Sequence, residues 1–254
     1  MVATVNKDTI IVSLTSHSIR LANVAKTTIW SILNNTFKNI HIVITIFKDD
    51  LRLVPPDLNL LINRGIVELI VADKAIGPHT KYFYAMQKYR SNPVITVDDD
   101  VIYPETMIQQ LVDAMKKYPN AIIARRSFVM TGDKTGIAPY RSWMKHFAGK
   151  TQPSHKIFAT GIGGVLYPAD CLHISDADLP EILSVKFDDD FFLKAREIRL
   201  GLKVANICGT WTELYKKNLD DPETQSIARW NDNKNGGSDK CIAKYKKEFS
   251  DAIK

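Results

Sequence analysis

Hydrophobic positions along this chain switch between two spacings. Thr9 to Leu14 (Thr-Ile-Ile-Val-Ser-Leu) is a short β-branched run, the pattern of a strand buried on both faces. Leu21, Val24, Ala25, Thr28, Ile29, Ile32 and Leu33 then recur by threes and fours, which predicts a helix with one apolar side. Ile42 to Phe47, Val67 to Val71 and Val94 to Val97 read as further buried strands, with a helix from Thr80 to Tyr89 between the last two. Pro104 suits the first turn of another helix, with Ile108, Leu111, Val112 and Met115 facing inward. After Pro119 the pattern loosens. Ala121 to Ala124, Ile162 to Tyr167 and Val204 to Ile207 predict strands, and Asp189 to Leu200 a helix stopped by Gly201. A last helix starts at Ser238 and keeps Ile242, Tyr245 and Phe249 on one side.

Strands alternating with helices imply an α/β fold, a mostly parallel Rossmann-type sheet flanked by helices. Such sheets gather ligands beyond the carboxyl ends of their strands. Those ends are Thr15-Ser16-His17, Lys48-Asp49-Asp50, Asp73-Lys74 and Asp98-Asp99-Asp100, a polar and acid-rich rim. The length of 254 residues, 45% of them hydrophobic, suits one domain. The one joint-like stretch, Asn235-Gly236-Gly237-Ser238, predicts a mobile C-terminal segment, with residues 231–254 forming a flexible joint and basic helix.

Net charge changes this picture little. The formal charge is +6, and much of the surplus lies in Lys240, Lys244, Lys246 and Lys247. A solvated helical face explains that run, and peripheral contact with an anionic membrane is its functional alternative. No apolar run is long enough to span a bilayer, and no leader-like segment opens the chain. Three cysteines (Cys171, Cys208, Cys241) give neither a disulfide framework nor a zinc spacing, so the expected address is the cytoplasm.

The sharpest chemistry is Val94-Ile95-Thr96-Val97-Asp98-Asp99-Asp100. Three carboxylates at one strand end repel unless something positive neutralises them. A hard divalent cation, Mn²⁺ or Mg²⁺, does this through Asp98 and Asp100 while sharing its other positions with water and phosphate. A simple acidic cap on the next helix is the bland alternative. A second triplet, Asp188-Asp189-Asp190, opens a helix whose dipole favours acids, which allows a plain N-cap. It also offers a carboxylate to take a proton, and Asp190, beside Phe191 and Phe192, is the candidate base. Gly77-Pro78-His79-Thr80-Lys81 presents a turn, a helix start and a lysine to an oxyanion. Gly161-Ile162-Gly163-Gly164 lets a ligand approach the main chain, or forms a bulge. No histidine pair has zinc spacing, and no nucleophile elbow or P-loop occurs.

With these segments in order, the chain resembles the GT-A-fold glycosyltransferases, near the bacterial family 2-type enzymes that build surface polysaccharides. Ile10–Ser16, Gly77–Lys81, Ile95–Pro104, Gly161–Pro168 and Asp189–Ala195 carry the likeness. The resemblance implies a metal-dependent, inverting transfer of sugar from a nucleotide diphosphate donor to a glycan or lipid-linked glycan acceptor. It implies a donor-binding half at 1–118 and an acceptor-side half at 119–230. Thr15 and Asp73 would border the nucleotide, Lys81 and Asp99 would complete the donor-binding set, and Asp98 and Asp100 would serve the metal. Asp190 fits the second acid of the usual Glu-Asp pair, but Asp189 stands where many relatives have Glu, so both remain catalytic candidates. Trp143, Gly163, Gly164 and Trp211, with Arg125, Arg126 and Tyr140, are candidate acceptor or pocket-wall residues. The loop from Trp230 to Asp239 is read as a cover for bound donor. The rivals are a nucleotidyltransferase, which lacks here its glycine-rich first loop, and a nucleic-acid binder, whose aromatic-lined basic stripe is missing.

Overall fold

The computed structural model describes residues 5–134, 136–210, 216–217 and 237–254. The first half is laid down as β1 (Ile10–Thr15), β2 (Ile40–Phe47), β3 (Val67–Ala72) and β4 (Val94–Thr96), all parallel. Alternate residues of β1 feed two buried layers, one on each side of the sheet. Ile11 joins the layer containing Tyr82 and Phe83, while Ile10, Val12 and Leu14 join the one built on Leu21, Ala25 and Ile29. Both faces are thus covered, which is why the strands read as continuous apolar runs.

Two helices fill the place of the first predicted one: α1 (Ser18–Asn23) and α2 (Ala25–Leu33), broken at Val24. Leu21, Val24 and Ala25 are all fully buried across the break, so the apolar spacing survives it and conceals it. An unpredicted helix, α3 (Pro56–Asn63), precedes β3, and α4 (Thr80–Lys88) precedes β4. The segment after β4 forms β5 (Val101–Ile102), and α5 (Met107–Lys117) begins three residues beyond Pro104.

Beyond Pro119 come β6 (Ala121–Ala124), β7 (Ser127–Val129), the small hairpin β8 (Gly132–Asp133) with β9 (Gly136–Ile137), and α6 (Tyr140–Trp143). Then follow β10 (Ile157–Ala159), β11 (Val165–Tyr167), α7 (Leu179–Ser184), α8 (Asp189–Arg199) and β12 (Lys203–Asn206). The seven-stranded sheet has the order β12-β6-β11-β4-β1-β2-β3. β11 runs antiparallel between β4 and β6, so the sheet is mixed although mostly parallel. Only Val165–Tyr167 of the expected Ile162–Tyr167 strand is extended, because Gly161–Gly163 forms a 3₁₀ turn at the rim. A short strand β13 (Lys216–Lys217) pairs with β5, and the chain ends in α9 (Gly237–Lys244) and α10 (Lys246–Ile253). The single helix expected there breaks at Tyr245, yet Ile242, Tyr245 and Phe249 still share the buried side. Trp211, Trp230 and the rest of the proposed covering loop up to Gly236 lie outside the described residues.

An aromatic layer binds the second half together. Trp143, expected as a pocket wall, is fully buried in it, with ring centroids 5.4 Å from Phe158 and 5.8 Å from Phe249. Phe158 in turn lies 4.9 Å from Phe191 of α8. Trp143 thus seats the helix that carries the second acidic triplet. Trp143→Ala should cost about 3–5 kcal/mol of stability in chemical denaturation, as large-to-small aromatic replacements in cores do. Unchanged stability would show that the layer is not a core.

Candidate active site

The carboxyl ends of β1, β2 and β4 open into a cleft of about 630 Å³. One bank carries Thr15, Ser16, Arg20, Asp50 and Lys74, and the other Arg126, Tyr140, Thr160, Gly161 and Phe187. Asp98, Asp99, Asp100, Lys81, Asp189 and Asp190 line it as well. Acids of both triplets, 90 residues apart in sequence, therefore meet in one place.

Their charges are paired within the protein. The Lys81 side chain, 6% exposed, puts Nζ 2.9 Å from Asp98 Oδ1 and 2.9 Å from Asp189 Oδ2. Burial alone would depress this ammonium; the carboxylates of Asp189, Asp98 and Asp190 outweigh it and hold its pKa well above the ordinary lysine range. Arg20 closes the first triplet, with Nη1 3.3 Å from Asp99 Oδ1 and Nη2 3.2 Å from Asp100 Oδ2. Ser16 Oγ donates to Asp99 Oδ2 at 2.5 Å. Burial still pushes Asp99 up to about 6, against the pull of Ser16 and Arg20. Arg20 and Lys81 thus supply part of the positive charge that three acids at one strand end call for. Arg20 was not singled out beforehand. Its one signal is its position, on the first helix directly after the β1 rim.

The main chain of the triplet is fixed from below. Thr28 Oγ1 lies 2.8 Å from the Asp99 carbonyl and 2.7 Å from that of Val101. Asp98 N donates to the Tyr103 hydroxyl at 3.0 Å, and that hydroxyl donates to the Ile162 carbonyl at 3.1 Å. The acidic turn and the glycine turn are thus one unit.

Across the cleft, Asp189 and Asp190 differ sharply although adjacent. Burial would raise Asp189, but Lys81 and the nearby His79 overcome it and hold it below the usual carboxylate range. Asp190 accepts from Gly161 N at 3.0 Å. Burial and the charge on Asp189 push it up to about 8, with Lys81 pulling the other way. His79 is itself structural: burial depresses it, Nε2–H donates to the Val185 carbonyl at 3.0 Å, and Nδ1 accepts from Tyr82 at 2.6 Å. Gly77, at φ +65°, cannot be replaced cheaply, since a Cβ there would meet the Lys186 carbonyl at 2.6 Å.

The remaining expected residues scatter. Thr15 lines the cleft at the end of β1, its hydroxyl donating to the Thr45 carbonyl at 2.8 Å. Asp73 is exposed beside the cleft, its carboxylate accepting from Tyr84 at 2.9 Å, while the next residues, Lys74 and Ala75, form the wall. Arg126 and Tyr140 line the second bank; Gly163 and Gly164 are buried behind it, and Arg125 is buried too. Ser16, expected on the ligand-gathering rim, joins the wall, as do Lys186 and Phe187, which were not anticipated as site residues. Among the described residues no group of three His, Cys, Asp or Glu is placed to hold a metal by itself.

Residues 11–166 match the sequence profile of glycosyl transferase family 2. This chain belongs to that family. Its fold is GT-A-like. Among solved structures it is similar to TarS from S. aureus, with a TM-score of 0.55 and 11% identity over 93% of this chain but 42% of that one. A shorter form, TarS 1-349 in complex with UDP, gives the same score and identity, with 70% of that chain covered. The mannosyltransferase PcManGT from Pyrobaculum calidifontis, in complex with GDP-Man and Mn2+, aligns at TM-score 0.52 and 9% identity, over 87% of this chain and 59% of that one. No curated protein sequence matches the chain. It thus spans about two fifths of full TarS.

A carboxyl whose folded pKa lies above its unfolded value holds its proton more tightly when folded. The stability this gives Asp190 is present below about pH 4 and is lost as pH rises towards 8. Asp190→Asn should therefore raise the melting temperature above pH 8 and do so much less at pH 5. An equal shift at both pH values would contradict the assignment.

Proposed function

We propose that this cleft transfers a sugar from a nucleotide diphosphate donor to an acceptor hydroxyl with inversion, in the synthesis of a surface polysaccharide or related glycan. The observation that carries the reading is the meeting of two differently held carboxyl groups on one cleft: Asp98 and Asp100 on the donor bank, Asp190 on the opposite one. The GDP-Man and Mn2+ bound by the mannosyltransferase, and the UDP bound by TarS, support the donor class and a divalent cation.

Residues 1–118 supply the donor half, with Thr15 beside the nucleotide and Asp73 at its margin; residues 119–230 supply the acceptor half. Asp98 and Asp100 keep 28% and 14% of their side chains accessible and open onto the cleft. Two hard oxygen donors without a third suit a Mn²⁺ or Mg²⁺ ion shared with substrate phosphates rather than a resident all-protein site. Such an ion would add positive charge where the leaving diphosphate becomes more negative. Lys81 is a fixed positive charge lining the same cleft, and Arg20 is a second one beside Asp100.

Asp190 acts as the base. The acceptor oxygen forms its bond to the anomeric carbon from the face opposite the diphosphate, the old C–O bond breaks with its electron pair leaving on phosphate, and the acceptor proton passes to Asp190. Asp189, tied to Lys81, is its charged neighbour and not the proton acceptor. A carboxyl at about 8 is a far stronger base than an ordinary aspartate, provided it is ionised. The same proposal places the enzyme in the cytoplasm, in keeping with three cysteines that stand as thiols. There the exposed Lys240, Lys244, Lys246 and Lys247 would touch anionic headgroups. No helix among the described residues is long and apolar enough to cross a membrane.

Thermal stabilisation by UDP-, GDP- and CMP-sugars, with and without Mn²⁺, identifies the donor. With that donor, Asp190→Asn should lower kcat by about a thousandfold, the upper part of the usual acid–base contribution, and leave donor affinity intact. Asp100→Asn should weaken donor binding only when metal is present. The wild-type kcat/KM should fall on the acid side of about pH 8. A fully active Asp190→Asn enzyme would refute the base assignment.

A further inference from the structure

One aromatic ring on the second bank has no part in the chemistry above. Among the described phenylalanine, tyrosine and tryptophan rings, Trp30 and Phe187 are the exposed ones, at 51% and 42%. Of the two, Phe187 alone lines the cleft. Leaving a phenyl ring in water forgoes the stabilisation that burial would give. Yet the chain that carries it is firmly held. The turn between α7 and α8 is fastened to the Gly77 turn, the Val185 carbonyl accepting from His79 Nε2 at 3.0 Å. The Lys186 carbonyl packs against Gly77 itself, where a Cβ would meet it at 2.6 Å. Asp188 N donates back to the Val185 carbonyl at 2.9 Å, just before α8 begins. Pinned main chain thus presents the ring to the cleft three residues before Asp190.

The surroundings say what such a ring can meet. Lys81 Nζ fills the gap between Asp98 and Asp189, at 2.9 Å from each, and a Cβ on Gly161 would already lie 2.6 Å from it. A second substrate therefore reaches Asp190 along the bank where Phe187 lies. Among the described residues, no other large apolar side chain is both exposed and part of the cleft wall. A lipid chain needs a continuous apolar groove, and one ring does not make one. Beside the ring is an ammonium, Lys186 Nζ at 5.8 Å from its centroid. Arg20, Lys74 and Lys81 of the same cleft each meet a carboxylate, whereas Lys186 meets none among the described residues. A pyranose matches this pair, having one apolar C–H face and a rim of hydroxyls that accept hydrogen bonds. We propose that Phe187 is the acceptor platform: a sugar residue lays its C–H face on the ring, Lys186 donates to its hydroxyls, and a further hydroxyl is turned towards Asp190. The platform rests on the reading of the second bank as the acceptor side, and it makes the acceptor a sugar and not a lipid alcohol.

The test measures binding and needs no turnover. The protein is titrated with the methyl glycosides of glucose, galactose, mannose and N-acetylglucosamine, with and without UDP or GDP and Mn²⁺, and followed by saturation-transfer NMR. Geranyl phosphate serves as the lipid probe. At least one glycoside should bind, with the strongest transfer to the C–H protons of one ring face. Phe187→Ala should weaken that glycoside about tenfold, while Phe187→Tyr, which keeps the ring, should stay close to wild type. Lys186→Met should weaken it about threefold. Melting temperature and nucleotide affinity should not change in any of the three. Equal glycoside affinity in wild type and Phe187→Ala overturns the platform, as does geranyl phosphate binding in place of every glycoside. Phe187→Ala weakening the nucleotide and sparing the glycoside moves the ring to the donor side and overturns it too. Nucleotide binding with no glycoside bound overturns the platform alone, whereas glycoside binding with no nucleotide bound sinks the donor reading and upholds the platform.

Discussion

One buried ammonium organises this protein. Lys81 lies between carboxylates contributed from opposite sides of the sheet crest, and little of the site can be described without it. A charge so enclosed is costly unless fully paired, and a carboxylate so enclosed equally so. The pairing therefore ties local positions together: β4 must end where it does, α8 must start where it does, and residue 161 must lack a side chain. A second cation, Arg20, does the same for Asp99 and Asp100 at the other end of the acidic turn.

This bears on how an acid-rich strand end should be understood. Six aspartates around one cleft suggest a large negative potential, and a divalent ion is the usual remedy. Here lysine and arginine provide much of it. What remains for an incoming ion is a pair of oxygen donors that gains strength from the diphosphate it accompanies. Donor and ion would then be expected to bind together, each improving the affinity of the other. The acceptor side follows a different logic, since burial and the charge on Asp189 outweigh the pull of Lys81 and keep a proton on Asp190.

Much of the framework was legible in the sequence, for physical reasons. Buried parallel strands such as Ile42–Phe47 cannot help being continuous apolar runs, and the acids after Val97 fall at a strand end where ligands gather. Helix breaks at Val24 and Tyr245 were hidden because the apolar spacing carries through them. The antiparallel insertion of β11 was hidden too, since three residues look alike in either direction. Ion pairing was the least readable layer. Nothing local distinguishes Arg20, which meets Asp99 some 79 residues later, from any surface arginine. Trp143 could be read either as a pocket wall or as packing, and the fold uses the ring to seat α8. The difference between Asp189 and Asp190 is purely tertiary, created by Lys81 on one side and Gly161 on the other.

The most direct trial of the central claim is to diffuse Mn²⁺ and a nucleoside diphosphate into crystals and locate the metal by anomalous scattering. The account predicts a single strong peak on the donor bank, within coordination distance of Asp98 or Asp100 and of the diphosphate oxygens, with Asp189 still joined to Lys81. A diphosphate bound elsewhere, or a metal held by Asp189 and Asp190 with Lys81 displaced, would contradict it.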